Sequence, residues 1–217
     1  METFKSTAYD RFLTEHRLLS ENNRAVSIAI MSTVPGFDTS AYRAFFAFSI
    51  GTVEGFFVKQ IQAKLYHEVS IFGPERGRSL IAQFHSELSK RGLIKGKFSY
   101  TEPEINSQIH NLSSIISLTS SSKIEKFFSA MDVVFLPGKD FTICHSEIWH
   151  ESISENADYK YCCGSWNLAI DRRNLIMHGG DLDSKGLPRA ISAEQVETAL
   201  SLAKIVATAF HKSLARI

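Results

Sequence analysis

The 217 residues are 44% hydrophobic and 22% charged, with 24 Lys+Arg set against 23 Asp+Glu for a formal charge of +1. That composition suits a chain able to bury a sizeable core, and its length fits one large domain or two small ones. The balanced charge argues against a protein that coats nucleic acid by general electrostatics, while leaving room for a local basic site. The three cysteines, Cys144, Cys162 and Cys163, are too few and too poorly spaced for a disulfide framework and imply reduced thiols in a cytoplasmic protein. The N-terminal stretch lacks the apolar centre of a signal peptide. No window of about 20 residues looks free enough of polar interruption to span a membrane.

The periodicity predicts a helix over 4–31, carried by Phe4, Phe12, Leu13, Leu19, Ile28 and Ile30 and interrupted near Asn22-Asn23. "TVPGFD" (33–38) is a turn, with Thr39 or Ser40 as the next N-cap. A long, strongly apolar central helix follows over 40–70, "FGPERG" breaks it, and a second helical period runs from 75 to 91. Between 92 and 121 the signal weakens, with room for a short helix over 103–117. Ser122 reads as an N-cap for "KIEKFFSAM", and 135–156 as an irregular insert. A helix over 159–178 stops at Gly179-Gly180, and a final amphipathic helix over 192–215 opens with the "SAEQ" capping box. The expected fold is all-α: a bundle of five to seven helices forming one domain over 1–217.

Chemistry concentrates in "DRRNLIMHGGDLD" (171–183). At 3.6 residues per turn, Asn167, Asp171, Asn174 and His178 form a polar stripe, while Arg173 falls in line with the apolar Trp166, Ile170 and Met177. A charge in an apolar stripe needs a partner or a ligand. Glu54 is the counterpart: the one charged residue between Arg43 and Lys59, set among Ile50, Phe57 and Val58. The two form either a structural ion pair or a carboxylate that aims a guanidinium fork at phosphate. His178 either caps a helix C-terminus or serves as a titratable group, with Asn174 placed to fix its tautomer. Arg173 and His178 lie about 140° apart on an ideal helix, so they meet only if the helix end distorts or a second copy contributes one of them.

"RRNLIMHG" resembles the signature of the HEPN superfamily (higher eukaryotes and prokaryotes nucleotide-binding): an arginine, a polar residue, three further residues and a histidine, here Arg173, Asn174 and His178 with Gly179 after them. "GTVEGFFVKQI" resembles the acid-bearing helix of several families in that group, with Glu54 as the acid. The resemblance implies an endoribonuclease that needs no metal or other cofactor and acts as a homodimer with a composite Arg/His site. His178 would then be the general base on the ribose 2′-hydroxyl, Arg173 and Asn174 would contact the scissile phosphate, and Glu54 would position Arg173. It further implies a cyclic phosphate product and a place in toxin–antitoxin or antiviral-defence systems, with an antitoxin or other protein as partner. Toxins of the group controlled by adenylylation carry tyrosine two residues after the histidine, where this chain has Gly180, so that control is not expected. The alternative is a non-catalytic HEPN-like module that binds RNA, a nucleotide or a protein partner. "CHSEIWH" (144–150) lacks the ligand spacing of a zinc site. Lys139, Trp149 and His150 of the insert are candidates to touch substrate.

Overall fold

The computed structural model describes residues 2–32, 40–99, 104–118, 120–135 and 159–215. Within them lie six helices: α1 (Glu2–Ser32), α2 (Ser40–Lys90), α3 (Ile105–Ile115), α4 (Ser121–Phe135), α5 (Tyr159–Met177) and α6 (Ala193–Ala215). The fold of the described residues is all-helical, relieved only by the isolated antiparallel bridges Ile94–Ile116 and Leu182–Pro188.

Helix α2 is the axis against which the other five pack. Its buried residues, from Tyr42 and Phe46 through Ile50, Val53, Phe57 and Ile61 to Leu65, recur at spacings of three and four, so one broad stripe faces the core. Rings from four helices meet there. Phe57 of α2 lies 4.3 Å from Phe210 of α6, Phe210 lies 5.9 Å from Phe127 of α4, and Phe56 of α2 lies 5.4 Å from Phe12 of α1. Each such pair adds roughly 0.5–1.5 kcal/mol beyond the area it buries.

The expected break at "FGPERG" is a kink inside α2. Gly73 adopts φ 77° and ψ 172°, a conformation open essentially to glycine alone, and Pro74 cannot donate to the preceding turn. The capping box is also present: Ser192 Oγ accepts from the Gln195 amide at 3.2 Å, and Gln195 Oε1 accepts from the Ser192 amide at 3.0 Å.

Two local expectations are corrected. Helix α1 runs unbroken through Asn22-Asn23, because Asn23 is buried and its amide donates to Glu197 at 2.9 Å and to the Ala193 carbonyl at 3.4 Å. That asparagine docks the start of α6 instead of ending α1. The cap of α4 is Ser120, whose Oγ accepts from the Lys123 amide at 3.3 Å, and Ser122 lies inside the helix. By length and composition alone α2 is long and apolar enough to cross a membrane, a test that a core helix also passes, and half of its most apolar window is buried inside the bundle. Thr39 and all of the 135–156 insert except Phe135, which ends α4, lie outside the described residues, and with them Lys139, Cys144, His145, Trp149 and His150.

Candidate functional site

Helix α5 carries the motif out of the core. Trp166 and Ile170 are buried, Arg173 one turn further is half-buried, and Met177 at the helix end is exposed. Arg173 thus sits where the apolar stripe surfaces, and α2 meets it with Glu54. Arg173 Nη2 donates to Glu54 Oε2 at 3.0 Å, while Nη1 donates to Asn174 Oδ1 at 3.0 Å. The sequence pairing of Glu54 with Arg173 therefore holds across 119 residues of chain. A guanidinium has five N–H groups, so each terminal nitrogen keeps a second N–H beyond these bonds. The Arg173 and Glu54 side chains retain 24% and 29% of their exposure, so solvent screening leaves the pair worth roughly 1 kcal/mol. That magnitude is too small for a principal stabiliser and leaves the fork accessible.

Asn174 is committed to Arg173 rather than to His178, so the expected tautomer-fixing bond does not form. Among the described residues the His178 ring makes no hydrogen bond. Helix α5 ends at Met177, one residue short of the expected limit, and His178 is the exposed C-cap residue. The end is a Schellman motif: the Gly180 amide donates to the Leu175 carbonyl at 2.8 Å and the Gly179 amide to the Ile176 carbonyl at 3.3 Å. Gly179 takes φ 72°, the left-handed geometry that the motif requires. Arg173 and His178 do not contact one another in one chain.

Sequence reasoning missed a second arginine site beneath the first. Asp181 is fully buried, and Arg43 Nη1 donates to its Oδ2 at 2.8 Å and to the Arg189 carbonyl at 2.8 Å. Arg172 Nε lies 3.7 Å from the same oxygen, its Nη2 donates to the Ala190 carbonyl at 3.0 Å, and its guanidinium stands 5.8 Å from the Phe46 ring centre. This cluster ties the start of α2 and the end of α5 to the 181–190 loop. It locks the segment that follows His178. A usable signal was the neighbouring Arg172-Arg173 pair, two guanidiniums for which Glu54 supplies only one carboxylate.

Next to Glu54 a cavity of about 230 Å³ opens between α2 and the segments flanking α3, lined also by Phe57, Ile61, Lys95, Ser114 and Ser117. Three other described histidines are engaged away from this cavity. His16 bonds the Leu200 carbonyl at 2.8 Å, His85 stacks on Phe98 with ring centres 4.9 Å apart, and His211 stacks on Tyr9 at 4.2 Å. Among the described residues no group of three His, Cys, Asp or Glu side chains is placed to hold a metal ion. No family model, curated protein or solved structure matches the chain.

Proposed function

We propose that the chain is a HEPN-like endoribonuclease that cleaves RNA without a metal, working as a homodimer in which two Arg173–His178 motifs form one site. The observation that carries this reading is the Arg173 fork, fixed by Glu54 and Asn174 yet still half-open with N–H groups to spare. A fixed guanidinium can stabilise the charge that builds on a pentacoordinate phosphorus, and an imidazole can take the 2′-hydroxyl proton. The dimer answers the separation of Arg173 from His178. Leu168 is 70% exposed, and Leu175, two turns on and on the same face, is exposed with it, so α5 leaves an apolar pair near His178 for a second copy to cover.

One observation favours a second reading, a module that holds RNA without cutting it: no described residue orients the His178 ring. Cleavage of single-stranded RNA by wild type, Glu54→Gln and Arg173→Lys separates the two. A nuclease loses about 100-fold or more in rate when the fork loses its bidentate geometry or its support. Wild-type protein that binds RNA and leaves it intact decides for the module.

A further inference from the structure

Away from the Arg–His motif, positive charge gathers around the cavity beside Glu54. The main chain fixes its rim: the Lys95 amide donates to the Ile115 carbonyl at 2.8 Å and the Ser117 amide to the Leu93 carbonyl at 2.8 Å. Lys95 lines the cavity with Ser117, and Lys123, in the first turn of α4, donates its ammonium to Ser117 Oγ at 2.9 Å. Lys126 follows on the same helix. Burial pushes the Lys123 ammonium below the usual lysine range; the charges of Lys95 and Lys126 push the same way, and Glu54 opposes them. Lys123 thus feels the charge of both neighbours. The local carboxylate that offsets them is already bonded to Arg173. None of the three lysines forms an ion pair among the described residues.

Such a cluster, left without an anion, keeps like charges side by side. An anion of the right size would relieve it. At about 30 Å³ per water, the cavity holds the equivalent of roughly eight waters, enough for a hydrated phosphodiester and too little for a duplex. Ser117 Oγ accepts from Lys123, which leaves its own hydroxyl hydrogen for a phosphate oxygen. Ser114 borders both this cavity and a wider polar one of about 540 Å³ that reaches Tyr66 and His110, so the site opens along α3.

The geometry points to a phosphate subsite for the RNA strand, in which Lys95, Lys123 and Lys126, with Ser117, hold backbone phosphate beyond the position gripped by Arg173. This rests on the reading of the chain as an RNA-acting protein. The test uses full-length His178→Ala protein, which holds substrate without consuming it, and a short fluorescein-labelled single-stranded RNA read by anisotropy across a salt series. Replacing the three lysines by glutamine removes about two phosphate contacts and lowers the salt slope by about 1.4, so the variant loses about sevenfold less affinity between about 50 and 200 mM salt. The exposed pair Lys95→Gln/Lys126→Gln, which leaves the half-buried Lys123 in place, is expected to give at least half of that change. Identical affinity and slope in all three proteins overturns the subsite while leaving RNA recognition standing. RNA neither bound by His178→Ala nor cut by wild type overturns the RNA reading and the subsite with it.

Discussion

Two guanidinium–carboxylate pairs lie close together in the chain, and their burial predicts opposite consequences. Asp181→Ala removes a carboxylate with no exposed surface and leaves Arg43, 14% exposed, facing an empty position, with Arg172 beside it. Breaking a buried pair from one side costs about 3–5 kcal/mol. Arg43 keeps the carbonyl of Arg189 as an acceptor, which places the cost near the lower end, about 3 kcal/mol. For a chain of this size that lowers the melting temperature by roughly 6–12 °C. Glu54→Ala removes the outer, screened partner and costs about 1 kcal/mol, or roughly 2–4 °C. Thermal and urea denaturation followed by circular dichroism measure both, alongside RNA cleavage well below either melting point. Asp181→Ala is expected to dominate the stability loss and Glu54→Ala the activity loss. Equal melting shifts, or an Asp181→Ala protein as stable as wild type, would refute the assignment of Asp181 to structure and Glu54 to the site.

Two further substitutions have expected outcomes. Burial holds the His85 imidazole below its ordinary pKa of 6.5. The unfolded chain therefore binds the proton first as pH falls, and the stability His85 contributes is complete above about pH 6.5 and lost below it until the folded imidazole also protonates. His85→Leu should flatten the fall in urea midpoint between about pH 7.5 and pH 5; an unchanged pH dependence would exclude His85 as a cause. Leu168→Arg with Leu175→Arg should convert a dimer to a folded monomer in light scattering and abolish cleavage together. An active monomer would dismiss the composite site.

How much of this was legible in sequence depended on range. The α2 stripe and its break showed because Gly73-Pro74 interrupts a helical period, and the capping box at Ser192 is a four-residue pattern. Glu54 and Arg173 showed because each is a lone charge in an apolar stripe, although 119 residues separate them. Asp181 gave no such sign. It follows two glycines in a polar loop, and only the arrival of Arg43 from the start of α2 makes it the most deeply buried charge in the described core. Asn23 misled for the same reason, since its partner Glu197 lies on the last helix and no local rule reaches that far. Asn174 fell between these cases: its face was readable, but its choice of Arg173 over His178 is settled by side-chain geometry that helical spacing does not encode.

Under the proposed function, His178 takes the 2′-hydroxyl proton while Arg173 holds the phosphate, with no metal in the step. That assignment is tested most directly by incubating wild-type and His178→Ala proteins with a mixed pool of labelled tRNA and single-stranded RNA in EDTA, and determining the chemistry of the new ends. Wild type should leave 2′,3′-cyclic phosphate and 5′-hydroxyl ends, and His178→Ala none. Cleavage that persists in His178→Ala, or that stops in EDTA, would contradict it.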